Sequence, residues 1–273
     1  MRKLLIALLM LCACACNGQA LRFSEPVFDT TQLPNASTTC LMHFDGDYTD
    51  LGGGTWQDGI KAWSDLASDS FKFGSHSLHN KTEFNTTSPY LFMSSGTEAF
   101  NCVLSDFTLE FWAGINMISA SNSSYHTLLI ALERSASSAY FYTYINHSGS
   151  SYRAGLRYVD PQIGAHSAIY STSYSDGVIS WFHCCFERRS GTLYAFINGV
   201  ELFNTSMPFA LAGVTGAYIS TFNDPSLNAN FYLDEFRFYK NGYVYGGEFT
   251  PPTRPIGLEK SMRIGISDGE IKF

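Results

Sequence analysis

Phe107-Thr108-Leu109-Glu110-Phe111-Trp112 is the stretch on which the fold turns. Phe107, Leu109 and Phe111 fall on one side of an extended chain, and Thr108 and Glu110 on the other. Alternation with period two predicts a half-buried strand. Working outward, the same period recurs. Phe231 to Tyr239 alternates, with Glu235 and Arg237 sharing one face and Asp234 falling with Tyr232, Phe236 and Phe238. Trp181 to Glu187 is apolar almost throughout and reads as a strand covered on both sides. Leu193 to Ile197 and Val200 to Phe203 flank Asn198-Gly199, a pair that favours the positive φ angles of a two-residue hairpin turn. Leu128 to Leu132, Ala139 to Ile145, Tyr152 to Tyr158 and Ala217 to Phe222 are further strands. No helical period lasts beyond a turn or two. Many short strands separated by polar turns predict an all-β sandwich.

Composition agrees. Of 273 residues, 45% are hydrophobic, 15% aromatic and only 15% charged. Such a balance disfavours long helices and favours strands. The net charge is −7, and the longest basic run is Arg188-Arg189. Nucleic acid is therefore not an expected partner, because phosphate binding needs clustered Lys and Arg.

Residues 1–20 read as an export signal. Arg2 and Lys3 precede the apolar run Leu4 to Leu11, which is too short to span a bilayer. Two processing routes fit. Gly18-Gln19-Ala20 offers small residues for cleavage before Leu21, whereas Leu11-Cys12-Ala13-Cys14 resembles a lipobox in which Cys14 would carry lipid. Association with a membrane is expected only through that anchor. Residues 21–39 form a Pro-, Thr- and Ser-rich linker, and 40–250 the domain. Pro251-Pro252-Thr253-Arg254-Pro255 opens a linker and tail through 273, in which Asp268-Gly269 predicts a small hairpin.

Seven cysteines are present, four of them in the domain: Cys40, Cys102, Cys184 and Cys185. Cys184 and Cys185 are adjacent on a strand, so they point to opposite faces. Buried thiols are the expectation, with a bridge involving Cys40 or Cys102 as the alternative. Asn-x-Ser/Thr sequons occur at Asn35, Asn80, Asn85, Asn122, Asn146 and Asn204. They matter only in a host that glycosylates.

An ordered set of motifs resembles the laminin-G-like group of the concanavalin A-like lectin and glucanase superfamily. Cys40-Leu41-Met42-His43-Phe44-Asp45-Gly46 is similar to its opening strand, and Phe73-Gly74-Ser75-His76-Ser77-Leu78 to the segment that follows. Phe107 to Trp112, Trp181-Phe182-His183, Gly191 to Val200 and Leu233-Asp234-Glu235-Phe236-Arg237 are similar to its later strands. The resemblance implies a jelly-roll sandwich of two antiparallel sheets over about 40–250. It also implies a binding role, toward a glycan or a cell-surface protein, outside the cytoplasm or in the cell envelope. A structural or protein-binding component, such as part of a phage tail in a virion, is the alternative.

A glycoside hydrolase is the second alternative. It needs two carboxylates at a set separation across the bond. The Glu-x-Asp-x-x-Glu spacing of the superfamily's glucanases is not in this sequence, and Asp234-Glu235 are adjacent, so no catalytic residue is expected. Gly52-Gly53-Gly54 lacks the Lys-Ser/Thr of a phosphate loop, and the histidines lack the close spacing of a zinc site. In the resembling family the first and last strands are neighbours, which would bring Asp45 near Asp234. Two carboxylates there could hold structural calcium, which takes six to eight oxygens. The alternative is that Asp234 accepts backbone N–H bonds. Sugar binding would need exposed aromatic planes, for which Trp56, Trp63, Tyr125, Tyr152 and Tyr174 are loop candidates.

Overall fold

A computed structural model describes residues 38–58, 64–80, 91–102, 105–115, 125–134, 140–147, 153–160, 164–173, 179–207, 211, 214–219, 231–256, 265–267 and 270–272. The chain forms two compact units, Thr30–Lys260, and Met1–Asp29 with Ser261–Phe273. The export signal, Cys14 and the linker 21–37 lie outside the described residues, as do Trp63, Tyr152 and Tyr174.

The main unit is built from β1 (Thr38–Met42), β2 (Thr55–Asp58), β3 (Ser64–Ala67), β4 (Ser77–Asn80), β5 (Leu91–Ser95), β6 (Phe107–Ile115), β7 (Tyr125–Arg134), β8 (Tyr140–His147), β9 (Arg153–Asp160), β10 (Gly164–Ser173), β11 (Ser180–Arg189), β12 (Thr192–Ile197), β13 (Val200–Ser206), β14 (Val214–Ile219) and β15 (Phe231–Lys240). A short 3₁₀ turn spans Thr97–Phe100. Among the described residues there is no α-helix. One sheet of eight strands runs β13-β12-β11-β6-β15-β4-β3, with β1 also on β15; one of seven runs β10-β9-β8-β7-β14-β5-β2. Every pairing is antiparallel. The second unit is described only by its hairpin, β16 (Gly265–Ser267) on β17 (Glu270–Lys272).

The two sheets close on an aromatic core. Phe238 meets Phe100 at 4.9 Å and Phe107 at 5.5 Å between ring centroids. Trp56, from the seven-stranded sheet, sets its edge on Phe236, from the eight-stranded one, at 6.1 Å. Trp56 is therefore a core residue, 7% exposed, and not a loop platform for sugar. Its indole N–H donates to Asp50. Tyr125 begins β7 and is likewise not in a loop. The two-residue turn at Asn198-Gly199 has φ angles of 51° and 78°, as its sequence requires.

β6 departs from the half-buried expectation. Thr108 and Glu110 are as buried as Phe107, Leu109 and Phe111. The reason is a strap. Residues 243–256, read in the sequence as domain end and linker, pack on the outer face of the eight-stranded sheet. Tyr245 stacks on Phe249 at 3.6 Å, Phe249 meets His183 edge-on at 5.5 Å, and Ile256 is 0% exposed. The same cover accounts for β11, buried along both faces as its apolar sequence predicts.

β15 also departs from simple alternation. Asp234 pairs with Trp112 and Arg237 with Glu110, so Glu235 and Phe236 together oppose Phe111. This is a β-bulge, and Glu235 takes φ 56° to make it. The phase slips by one residue there. Phe231 and Leu233 before the bulge, and Phe236 and Phe238 after it, all enter the core. Asp234 therefore does not share a face with Phe236 and Phe238.

All four domain cysteines are buried and free, so neither Cys40 nor Cys102 is bridged. Cys184 lines the core, while Cys185 faces the strap side. Burial pushes the Cys102 thiol up to about 11, and raises Cys40, Cys184 and Cys185 further. The native protein is expected to leave these four unlabelled by a polar alkylating reagent at pH 8, and to expose all four in denaturant. Peptide mass mapping checks this; rapid native labelling of any of them would contradict the burial.

Candidate functional site

Of the sequence-selected residues, Asp45 and Asp234 are brought to one loop. β1 pairs with β15, Met42 opposite Phe236, so the turn after β1 lies beside the bulge. Loop 71–76 crosses this corner. Asp234 Oδ2 accepts the N–H groups of Lys72 at 2.8 Å and Phe73 at 3.1 Å. Asp45 Oδ1 accepts those of Ser75 at 2.6 Å and His76 at 3.4 Å. Gly74 lies between, at φ +67°, and a Cβ there would fall 1.9 Å from Asp45 Oδ1. Only glycine allows both carboxylates to hold so tight a loop. Asp47 is spent locally, capping Thr49 N–H at 2.8 Å.

The backbone N–H alternative for Asp234 is thus realised, yet its other oxygen, Oδ1, is buried with no partner among the described residues. Burial first, then the Glu235 and Asp45 charges, push the Asp234 carboxyl up to about 8 against the pull of the Phe73 and Lys72 N–H groups. Glu235 is raised by burial as well, although it is held by His43 Nδ1 at 2.9 Å and by Ile256 N–H at 2.5 Å. The fit to calcium is partial. An orphaned carboxylate oxygen beside a second carboxylate suits a hard cation. Among the described residues, however, no three His, Cys, Asp or Glu side chains gather as ligands.

A second cluster, Glu110, Glu187, His183, Arg237 and Tyr245, lies under the strap. Glu110 receives Arg237 Nε at 2.6 Å and also Arg237 Nη2, His183 Nε2 at 2.9 Å and the Tyr245 hydroxyl at 2.6 Å. Glu187 receives the consecutive N–H groups of Val244, Tyr245 and Gly246 at 2.7–3.0 Å. Every carboxylate oxygen here is engaged, so the cluster fastens the strap and has no acceptor left for a substrate. Its sequence signal was charge inside apolar strands, Glu110, Glu187 and Arg237, which burial permits only when paired.

On the seven-stranded sheet the register defines an outer face. Ala217 and Ile219 of β14 and Met93 and Leu91 of β5 are core residues. Ala217 pairs with Leu132 and Leu132 with Phe141. Tyr140, Tyr142 and Tyr144 alternate along β8, and Tyr142 is in register with Ala131, which pairs with Tyr218. In the cross-strand register Tyr140 pairs with Glu133, Tyr142 with Ala131 and Val159, and Tyr144 with Leu128 and Arg157. Period two in β8 contains this tyrosine row.

Comparison with known proteins agrees with this architecture. A family model described as the concanavalin A-like lectin/glucanases superfamily matches residues 85–242, more than half of the chain. No curated protein matches. Among solved structures, the binding domain of Paraclostridial Mosquitocidal Protein 1 aligns with a TM-score of 0.54 at 14% identity, covering 74% of this chain and 48% of that one. The botulinum neurotoxin serotype G binding domain aligns at 0.52 and 12% identity, covering 78% and 48%. The serotype D binding domain aligns at 0.52 and 11%, covering 81% and 50%. This chain spans about half the length of those domains, and at such identities the likeness is one of fold. With its two antiparallel sheets and its first and last strands paired, the chain belongs to the concanavalin A-like lectin/glucanases superfamily.

Proposed function

We propose that this protein is an exported, non-catalytic module that binds carbohydrate on the outer face of its seven-stranded sheet. The observation that carries the reading is the alternation of Tyr140, Tyr142 and Tyr144 along β8, with Tyr142 in register with Ala131 and, through it, with Tyr218. Flat aromatic faces flanked by hydrogen-bonding groups are what pyranose rings stack on. Glu110, Glu187 and Glu235 are engaged by Arg237, by strap N–H groups and by His43 with Ile256 N–H, which favours a binding role over hydrolysis. The similar solved structures are themselves binding domains, which is consistent with it. The export signal at 1–20, with or without lipid on Cys14, would deliver the module to its ligand. A glycan array tests the reading. Binding by the wild type that is lost in Tyr142→Ala, with unchanged melting, supports it. A clean negative array turns the reading toward a protein-binding or structural component of a cell surface or phage tail.

We propose further that Asp45 and Asp234 hold structural calcium. When bound, the ion would neutralise the orphaned Asp234 oxygen and tighten loop 71–76. In chelator, an Asp whose folded pKa is raised from near 4 to about 8 makes stability fall as pH rises through that window, because the folded state keeps its proton longer than the unfolded one. Wild type in chelator is therefore expected to melt lower at pH 8 than at pH 5, and Asp234→Asn to lose its part of that dependence while Glu235 keeps its own. Millimolar calcium should restore several degrees at pH 8 in wild type and none in Asp234→Asn, since a ligand that binds only the folded state stabilises it. Equal melting with calcium and chelator would remove the ion from the reading.

A further inference from the structure

The sequence holds three Asn-Gly pairs, Asn17-Gly18, Asn198-Gly199 and Asn241-Gly242. The first lies outside the described residues. Such a pair forms turns, and it is also chemically labile. The backbone nitrogen that follows an asparagine can attack the side-chain Cγ and expel ammonia, and glycine puts no Cβ in the way. The two pairs in the domain share this chemistry, and the fold treats them differently.

Asn198-Gly199 is locked. Asn198 Oδ1 accepts the His183 N–H at 2.9 Å, and the Asn198 N–H donates to the His183 carbonyl at 2.8 Å. Gly199 is buried, and its carbonyl accepts the Phe249 N–H of the strap at 3.1 Å. A Cβ on Gly199 would overlap the Phe249 carbonyl oxygen, so the strap lies directly on this turn. Swinging Asn198 Cγ toward the Gly199 nitrogen would break the bond to His183 where there is no room to move.

Asn241-Gly242 is not locked. It joins β15, which ends at Lys240, to the strap. Asn241 is exposed, at φ 64°, and its side chain has no partner among the described residues. It borders an open surface depression with Ser105, Asp106 and Ser190, where water has access. The restraint on the attacking nitrogen is the bond from Gly242 N–H to the Asp106 carbonyl at 3.1 Å. That bond lies at the surface, where local opening costs least.

We propose that Asn241 is a site of self-modification at the hinge of the strap, where it deamidates and isomerises, while Asn198 is protected by β11 and by the strap itself. The Gly242 nitrogen gives its proton to solvent base and bonds to Asn241 Cγ. The bond from Cγ to the amide nitrogen breaks, ammonia leaves, and a succinimide ring closes. Water then opens the ring. Attack at Cγ gives aspartate, and attack at the main-chain carbonyl carbon gives isoaspartate. In isoaspartate the main chain runs through Cβ and is one methylene longer. The insertion falls just before Val244, Tyr245 and Gly246, whose N–H groups Glu187 receives, so it loosens the strap from its start. The proposal does not depend on carbohydrate or calcium.

The test holds the full chain at pH 8, native and in denaturant, and reads each site by peptide mass mapping and by enzymatic methylation of isoaspartate. In the native protein Asn241 is expected to turn into aspartate and isoaspartate while Asn198 stays an amide; in denaturant both should react. Asn241→Gly, which suits φ 64°, should keep the turn and lose the modification there. Gly242→Ala should slow it, since Gly242 is not at positive φ and a Cβ would sit 3.3 Å from Tyr239 Cε1. Aged wild type should be cut by chymotrypsin at Tyr245 or Phe249 sooner than fresh protein, and aged Asn241→Gly should not. Native reaction at Asn198 as fast as at Asn241, or reaction at Asn241 only in denaturant, would overturn the proposal. Conversion at Asn241 that leaves the cutting unchanged would overturn its link to the strap.

Discussion

Replacing Glu110 with alanine is expected to destabilise the domain by about 3–5 kcal/mol, the range for breaking a buried ion pair by deleting one partner. Arg237 would keep its charge inside the fold without its carboxylate, and His183 and Tyr245 would lose their acceptor. Burial alone raises the Glu110 carboxyl, but Arg237, His183 and Tyr245 together hold it down at about 2. A carboxylate depressed in this way stabilises the fold above its ordinary titration near 4.5, and that contribution is lost as pH falls toward 2. Urea unfolding at pH 7 and at pH 3 checks both parts. Glu110→Gln keeps an acceptor for Arg237, so it should cost less at pH 7 and lose part of the acid sensitivity. Wild-type stability in Glu110→Ala would mean that the cluster does not hold the strap.

The second large effect concerns Glu187. Its two oxygens take three consecutive backbone N–H groups of the strap and the Thr108 hydroxyl at 3.1 Å. Hydrogen bonds to a charged acceptor are worth about 1.5–3 kcal/mol each and do not add fully, so Glu187→Ala is expected to cost about 3 kcal/mol. The loss should be local as well as global. Chymotrypsin, which has Tyr245 and Phe249 as targets in the strap, is expected to cut there in the variant before the rest of the domain opens. If cutting begins elsewhere in the domain, the strap is held by its rings and not by Glu187.

Much of the fold was legible because it rests on local patterns. Period two in 107–112, the Asn-Gly turn and the apolar run 181–187 each decide their own conformation, and the two sheets follow from their number. The short strands β2 and β3 are only four residues long and mix polar with apolar, so they carry too few repeats to register. Trp56 illustrates a different limit: an aromatic beside a glycine-rich stretch reads as a loop residue until its partners, Phe100 and Phe236, are known. The strap was opaque for a third reason. Its Tyr245 end depends on Glu110 and Glu187, more than fifty residues away in sequence, and Pro251 to Pro255 reads as a linker wherever it lands. The resemblance put Asp45 near Asp234, whereas their sharing of one loop of N–H groups depends on Gly74 and a bulge.

The bulge at Glu235 makes β15 a strand with two independent halves. The first half, Phe231 to Leu233, is read by β4, and the second, Phe236 to Tyr239, by β1, while β6 reads both. The extra residue is what keeps both halves in phase with the core. Substitutions on either side can be absorbed by repacking, but a β15 that ran through the joint in simple alternation would turn Phe236 and Phe238 out of the core and Arg237 into it. Because β1 meets β15 just beyond that point, the joint also sets where the two ends of the domain meet, and the loop at 71–76, held by Asp45 after β1 and by Asp234 before the bulge, is seated across it.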